Sequence, residues 1–309
     1  LTVDPAPLTI TADDRAKTYG DPDFALGTAA FCVAGLGNDD AVAEVALNSE
    51  GEPVTAPVGS YAISPSDASG AGLSNYAIDY VDGTLDVDPR SLSITPDDRA
   101  KAYGDPDFAL GTTAFAADGL VNEDSVESVA LASDGAPVSA PVGSYDISAS
   151  DAAGTGLSNY TISYGTGTLD VGAAALVITA DDFEKIYGDP DFSLSGDAFT
   201  VSGLRSGDSV DAVTLESAGE PAPAPVGSYA IDISDPVGAG LSNYEISLVD
   251  GVLTVTPAPL QITADDRAKT YGDPGFALGT QAFIAEGLRN ADSVDAVTLA
   301  SPGEPVTAD

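Results

Sequence analysis

Residues 8–22 of this 309-residue chain, LTITADDRAKTYGDP, decide its fold. Leu8 and Ile10 alternate with two threonines, and this period of two is typical of a half-buried β-strand. The stretch returns three more times along the chain. Its Tyr-Gly-Asp-Pro motif begins, at intervals of 84 residues, at Tyr19, Tyr103, Tyr187 and Tyr271. Self-similarity at a fixed period indicates a chain built of tandem repeats.

The period sets the expected domain boundaries. We predict complete repeats at 8–91, 92–175 and 176–259 and an incomplete fourth repeat at 260–309, while residues 1–7 match the tail of a preceding repeat. Solenoid units usually have about 20–45 residues and need their neighbours for a core. A unit of 84 residues is long enough for a core of its own. We expect the natural chain to continue at both ends.

Alternating patterns predict a mostly β fold: a tandem array of small β domains, each an immunoglobulin-like sandwich or a β-grasp-like unit. Tyr76, Ile78 and Tyr80 alternate with small or polar residues, and the turn at 81–83 predicts a hairpin. Residues 40–47 break the alternation. Asp40 could cap a short helical turn there, so we expect at most one short helix per repeat.

The joints between repeats are short. They lie at 4–7, 88–91, 172–175 and 256–259, and three of the four contain proline. Because proline fixes φ and stiffens an extended segment, these joints predict spacers rather than slack tethers. The sequence therefore predicts a semi-rigid string of domains.

The composition excludes several classes of function. The chain has 49 acidic and 10 basic residues, a net charge of −39, which repels nucleic acid. It has no histidine and one cysteine, so imidazole chemistry, thiolate zinc sites and intramolecular disulfides are excluded. No apolar run is long enough to insert in a membrane, and the first residues show no signal peptide. Cys32 aligns with small or apolar residues, which predicts a buried, inert thiol.

The repeat resembles a known family through a set of glycine, tyrosine, asparagine and apolar positions. In one copy these are Tyr103-Gly104, Gly119-Leu120, Asp124-Ser125-Val126, Val142-Gly143-Ser144-Tyr145, Asn159-Tyr160, Gly167, Leu169 and Val171. The pattern resembles the MBG repeat (YGX type) of bacterial surface adhesins and haemagglutinin-like proteins. The resemblance implies an extracellular array of mostly β modules in a very large surface or secreted protein, without catalytic residues.

One acidic cluster is a candidate metal site. Its members in the three complete repeats are Asp13, Asp14, Asp21, Asp97, Asp98, Asp105, Asp181, Asp182 and Asp189, with Asp23 nearby in the first. Calcium prefers several carboxylate and carbonyl oxygens, so this is the cation such a cluster would bind. The alternative is turn chemistry, with Arg15 and Lys17 paired to the aspartates. We expect no required cofactor.

Two other recurring positions have alternative interpretations. Every lysine of the chain occupies one position of the repeat, at Lys17, Lys101, Lys185 and Lys269. This lysine is either an isopeptide partner or a structural residue, in a salt bridge with aspartates or packed over Tyr19. Tyr76 and its counterparts are either core rings or a sugar-stacking platform. The sequon at Asn159 occurs in one copy, so we interpret it as accidental.

These observations predict a non-enzymatic structural protein at the cell surface or outside the cell. The repeats would form the stalk of a large bacterial adhesin or secreted fibre protein and extend a terminal binding region. The alternative is that the repeats themselves assemble into an extracellular filament or biofilm matrix. The expected partners are neighbouring repeats of the same chain, with self-association into fibres in the second case. A carbohydrate-active enzyme would need an asymmetric carboxylate pair, and no copy is chemically distinct.

Overall fold

The computed structural model describes residues 1–22, 24–205 and 207–305, and strands dominate it. The chain divides into two compact units, Leu1–Gly172 and Ala173–Asp309. The first unit contains the two repeats at 8–91 and 92–175, apart from the last three residues of the second. The second unit contains the remaining repeats.

Repeat 1 forms seven strands and one short turn of 3-10 helix. The strands are β1 (Ala6–Ala12), β2 (Arg15–Thr18), β3 (Phe31–Ala34), β4 (Ala41–Asn48), β5 (Gly59–Ala71), β6 (Tyr76–Val81) and β7 (Gly83–Asp88), and the turn is Leu73–Asn75.

These strands form two sheets. The first has the order β3-β1-β6, in which β1 is antiparallel to β3 and parallel to β6. The second has the order β2-β7-β5-β4, in which β2 and β7 are parallel and the other neighbours antiparallel. The chain crosses from the first sheet to the second at Asp13 and Asp14, between β1 and β2. Each complete repeat is a β-sandwich-like unit.

The core lies between the two sheets. Leu8 and Ile10 of β1 are fully buried, and they pack with Val45, Ile63 and Leu85 from the second sheet. The alternation of β1 explains this packing, because successive side chains of a strand point to opposite faces. Burial of such side chains contributes about 1.5–3 kcal/mol each, so this layer supplies most of the drive for folding.

Repeat 2 has the same seven strands in the same order. They are β8 (Arg90–Pro96), β9 (Arg99–Ala102), β10 (Phe115–Asp118), β11 (Ser125–Ala132), β12 (Gly143–Thr155), β13 (Tyr160–Tyr164) and β14 (Thr166–Gly172), with a 3-10 turn at Leu157–Asn159. Its sheets are β10-β8-β13 and β11-β12-β14-β9.

The second unit contains repeat 3 and part of repeat 4. Repeat 3 forms β15 (Ala174–Ala180), β16 (Phe183–Ile186), β17 (Phe199–Ser202), β18 (Ala212–Glu216), β19 (Gly227–Val237), β20 (Tyr244–Val249) and β21 (Gly251–Thr256), with a 3-10 turn at Leu241–Asn243. Its sheets are β17-β15-β20 and β16-β21-β19-β18. In repeat 4 the described residues form one antiparallel pair, β22 (Gln261–Ala264) and β23 (Phe283–Glu286).

Three details of the sequence-based prediction are wrong. Residues 40–47 do not form a helical turn, because Ala41–Asn48 is strand β4. The register of β4 against β5 shifts twice, at Val42/Glu44 and at Glu44/Ala46. Such bulges disturb the alternation, so that Val42 and Val45 both contact the core with the spacing of a helix.

The predicted hairpin at 81–83 is also absent, since β6 and β7 lie in different sheets. The turn between them carries the chain from one sheet to the other. Gly83 is required there, because a Cβ at this position would lie 2.5 Å from the carbonyl oxygen of Ala12.

Two further points concern burial and the membrane. Cys32 is exposed rather than buried, because in β3 Phe31 and Val33 face the core and the residue between them faces outwards. Among the described residues, no helix is long and apolar enough to cross a membrane.

Candidate functional site

In each pair of aspartates, the second carboxylate accepts a hydrogen bond from a backbone amide near the point where the chain crosses between sheets. The Asp14 Oδ1 atom accepts a hydrogen bond of 2.8 Å from the Thr84 amide at the start of β7. Asp98 and Asp182 accept the corresponding bonds of 2.8 Å from Thr168 and Val252. The second aspartate of each pair therefore connects the segment between β1 and β2, or its counterpart, to the start of β7 or its counterpart.

Of the other aspartates in the candidate calcium cluster, the Asp13 position bonds a distant backbone carbonyl and the Asp21 position lies in a turn. The Asp13 amide donates to the Ala30 carbonyl at 3.0 Å, and the Asp21 amide donates to the Thr18 carbonyl at 3.0 Å. Within the described ranges, no group of three or more histidine, cysteine, aspartate or glutamate residues is arranged to hold a metal ion. Asp23 lies outside those ranges. Calcium binding stays a prediction.

The recurring lysine is buried and bonded to backbone carbonyls. The Lys17 side chain is 4% exposed, and its Nζ atom donates to the carbonyls of Glu52 and Pro53 at 2.8 and 2.7 Å. Burial lowers the pKa of Lys17, against the opposing effect of Asp21 and Glu52. The Lys17 ammonium therefore holds the loop after β4 against strand β2.

The same pair of bonds occurs in the other repeats. Lys101 binds the carbonyls of Ala136 and Pro137, Lys185 those of Glu220 and Pro221, and Lys269 those of Glu304 and Pro305. In repeat 1 the lysine lies under Phe24, with 5.6 Å from Nζ to the ring centroid. These contacts support the structural interpretation of the lysine, with carbonyl acceptors in place of the expected carboxylates.

The joint between repeats 1 and 2 contains a group of polar contacts that the sequence did not predict. Tyr19, from the Tyr-Gly-Asp-Pro motif of repeat 1, donates from its hydroxyl to the Asp124 Oδ2 atom of repeat 2 at 2.9 Å. Tyr160 of repeat 2 donates to the same oxygen at 2.8 Å. Its own hydroxyl oxygen accepts the Val121 amide at 2.9 Å. One carboxylate oxygen therefore links the two repeats.

Two amide side chains complete the joint. The Asn159 Oδ1 atom accepts the Val58 amide at 3.0 Å, and the Asn122 Nδ2 atom donates to the Val54 carbonyl at 3.0 Å. Each bond joins repeat 2 to repeat 1. Asn159 is 9% exposed, so its amide is not accessible for a glycan, in agreement with the accidental origin of the sequon.

An apolar cluster surrounds these bonds. Its buried members come from both repeats and are Tyr19, Val87, Leu92, Ile94, Val129 and Tyr160. Burial raises the pKa of Tyr160 to about 12 and raises the pKa of Tyr19, with the Asp124 carboxylate adding to both shifts. Because its ring is enclosed between the repeats, Tyr160 does not offer the sugar-stacking platform considered for this position.

The glycine of the motif is also part of the joint. Gly20 has a φ of +74°, and a Cβ on it would lie 2.4 Å from a methyl carbon of Val121 in the next repeat. In the second unit, a Cβ on Gly188 would lie 2.3 Å from the Cβ of Arg289. Gly272 has no such neighbour within 4 Å. At Gly20 and Gly188, the following repeat rather than the glycine's own repeat therefore restricts the space available for a side chain.

The second unit repeats one of the joint's polar contacts. The Asn290 Nδ2 atom of repeat 4 donates to the Ala222 carbonyl of repeat 3 at 3.2 Å. These residues are the counterparts of Asn122 and Val54. The sequence did contain a signal for the joint. A turn accounts for the Asp-Pro part of the motif, but it does not account for a tyrosine and a glycine that are kept in all four copies.

Comparisons with solved structures give distant likenesses. The chain is similar to Drosophila N-cadherin EC1-3 at 9% identity and a TM-score of 0.25, over 80% of this chain and 98% of that one. It is similar to Drosophila N-cadherin EC1-4 at 12% identity and a TM-score of 0.21, over 90% and 83%. It is similar to the I9-I11 tandem from titin at 12% identity and a TM-score of 0.20, over 81% of this chain and 100% of that one. Likenesses at these scores carry no argument about function.

Comparisons of the sequence with known proteins and protein families identify the repeat. No curated protein sequence matches the chain. The family described as MBG domain (YGX type) matches three times in tandem, at residues 8–86, 92–170 and 176–254. These matches agree with the motifs that carry the resemblance and with the three complete β-sandwich-like repeats. The chain belongs to the MBG domain (YGX type) family.

Proposed function

We propose that these MBG domains form the structural stalk or spacer of a large bacterial surface adhesin or secreted fibre protein. In that role they hold a terminal binding region away from the cell. The observation that carries the proposal is the apolar cluster shared by repeats 1 and 2, which includes Tyr19 and Tyr160. A spacer must keep its length under load, and a core that continues from one domain into the next resists bending at the joint.

The connection between these repeats supports the same role. Strand β7 ends at Asp88 and β8 begins at Arg90, so Pro89 alone separates them. Proline restricts φ and so reduces the number of conformations that a linker can adopt. Arg90 lies in this joint and bonds both repeats, since its guanidinium donates to the Tyr19 carbonyl at 3.5 Å and to the Gly119 carbonyl at 3.2 Å.

The recurring polar residues support a non-enzymatic role. Asp14, Lys17 and Tyr19 keep their positions along the chain, and each binds backbone or a neighbouring repeat. Family membership, together with the dense negative charge, supports a location outside the cell or at its surface, where the charge keeps a long array soluble.

The decisive experiment combines location with length. Antibodies raised against the 309-residue chain should label intact, unpermeabilised cells of the source organism, or its culture medium. Small-angle scattering of the chain should give a maximum dimension of about 100 Å or more. Labelling confined to permeabilised cells, or the dimension of a compact globule, contradicts the stalk. Lateral bundles in electron micrographs of the purified chain would favour the filament alternative.

A further inference from the structure

Repeat 1 has a surface that matches the joint surface of repeat 2. We call this surface the docking face. In repeat 2 it consists of residues 119–124 with Asn159 and Tyr160, and in repeat 1 of residues 35–40 with Asn75 and Tyr76. The matching partner surface is the tyrosine end of a repeat, which in repeat 1 consists of Tyr19, Gly20, Val54 and Val58.

The docking face of repeat 1 already has the geometry of the occupied one. The Gly37 amide donates to the Tyr76 hydroxyl at 2.8 Å, and that hydroxyl donates to the Asp40 Oδ2 atom at 2.8 Å. In repeat 2 the same bonds measure 2.9 and 2.8 Å. Asn38 and Asn122 share a left-handed φ of 56°, so the two loops match at this residue; they differ at the next one, because Glu123 also has a positive φ, of 63°, and its counterpart Asp39 does not.

Exposure distinguishes the two faces. Leu36 is 38% exposed, whereas its counterpart Leu120 packs against the apolar cluster of the joint. Asn75 is exposed, whereas Asn159 is 9% exposed and accepts the Val58 amide. The face of repeat 1 therefore presents an apolar side chain and an amide at positions that another repeat covers on repeat 2.

We propose that the docking face of repeat 1 binds the tyrosine end of a second copy of this repeat unit. The incoming tyrosine hydroxyl donates to Asp40, as Tyr19 donates to Asp124. Asn75 accepts a backbone amide, and Asn38 donates to a backbone carbonyl, as Asn159 and Asn122 do in the joint. This inference stands independently of the stalk, because it rests on the correspondence of the two faces.

Two substitutions make this face weaker than the one in the joint. Gly37 replaces Val121, so no side chain lies over the glycine of the incoming motif. Ala6 replaces Arg90, whose guanidinium bonds Gly119 and Tyr19 across the joint. Binding between separate chains also costs translational and rotational freedom, whereas a short tether gives an effective concentration in the millimolar range. The partner is therefore best supplied in the same chain.

The test extends the full chain by one repeat. A copy of residues 92–175 is fused directly before Leu8, in register with the 84-residue period. Its tyrosine end contains the counterparts of Tyr19, Val54 and Val58. Hydrogen exchange is then followed in peptides that cover 35–40 and 73–77, whose sequences remain unique in the extended chain. In the parent chain, the peptides at 119–124 and 157–161 provide the reference for an occupied face.

We expect exchange at 35–40 and 73–77 to slow by about tenfold in the extended chain, the effect of one or two net hydrogen bonds. Changing Tyr103→Ala in the added copy, or Asp40→Asn in repeat 1, should restore part or all of the parent rate. A second version adds residues 176–259 instead, so that the result does not depend on one donor. Parent exchange rates in both extended chains would overturn the proposal.

Discussion

The ring of Tyr19 meets the ring of Tyr160 edge to face, with 5.6 Å between centroids and 80° between planes, although the two residues belong to different repeats. Their hydroxyls converge on one oxygen of Asp124. The tyrosine that defines the family motif thus acts between domains. Its neighbouring glycine acts in the same place, and this gives the first prediction.

Gly20→Ala should destabilise the chain more than Gly27→Ala. Both glycines have a positive φ, +74° and +72°, so both substitutions carry the strain of an L-residue in that region, about 1–2 kcal/mol. A Cβ on Gly20 also meets Val121, whereas a Cβ on Gly27 has nothing within 4 Å. Overpacking adds about 1–3 kcal/mol. Denaturant unfolding of the full chain measures the difference.

A second substitution tests the origin of that difference. Val121→Gly copies the residue found at position 37 and loses the contacts of Val121 with the apolar cluster. Measured against that variant, Gly20→Ala should cost little more than Gly27→Ala. Equal losses for the two alanine variants would show that the next repeat does not restrict Gly20.

The sequence predicted the repeat and its core well. Leu8 and Ile10 alternate regularly, and a strand buried on one face cannot shift register without exposing them. The strand β4 was missed because its bulges give Val42 and Val45 a helical spacing. The joint was missed for another reason. Tyr19 and Asp124 are 105 residues apart, and the recurring tyrosine and glycine mark a required position without showing that it contacts the next repeat.

The buried lysine gives the next prediction. Lys101→Met should lower the free energy of unfolding by about 1–3 kcal/mol, because the Ala136 and Pro137 carbonyls lose their donor. Hydrogen exchange in peptides that cover 133–138 should rise in the same variant. The matched control is Lys269→Met, at a half-buried position in the incomplete repeat 4, where a smaller effect is expected. A stability equal to that of the parent chain would count against a structural lysine.

High pH should loosen the joint. The pKa of Tyr160 is raised from 10.0 to about 12, so the folded chain favours the neutral phenol. The stabilisation is therefore complete below about pH 10 and is lost as the pH rises towards about 12. The lowered pKa of Lys17 acts in the opposite direction, so global unfolding alone is not a sufficient measurement.

The phenolate absorbance of Tyr160 isolates this effect. It is obtained as the difference between titrations of the parent and of Tyr160→Phe, and its midpoint should lie near pH 12. Asp124→Asn should lower that midpoint, because the carboxylate no longer opposes ionisation of the phenol. Tyr80→Phe serves as the control, since that residue is exposed and its hydroxyl accepts the Ala68 amide within repeat 1. An unchanged midpoint in Asp124→Asn would refute the contribution assigned to the Asp124 carboxylate, which adds to the larger effect of burial.

Cations provide the last prediction, and two mechanisms differ in the concentrations that they need. Repeat 1 carries 14 acidic and three basic residues, so folding concentrates negative charge. Diffuse screening requires about 0.1 M of any monovalent salt, which shortens the Debye length to about 10 Å. A calcium site of the weak extracellular kind would instead saturate at about 0.1–1 mM calcium.

We expect screening to dominate, so sodium chloride should recover most of the stability lost at low salt. The second aspartate of each pair binds backbone, as Asp98 does by accepting the Thr168 amide, and this leaves less of that carboxylate for an ion. Melting curves are compared with EDTA and with added calcium at a fixed sodium chloride concentration of about 0.15 M, where the Debye length of about 8 Å already screens the surface charge. The variant Asp97→Asn with Asp98→Asn keeps an acceptor for Thr168 while removing the charge. A large calcium-dependent rise in melting temperature that this double variant abolishes would make the aspartates metal ligands.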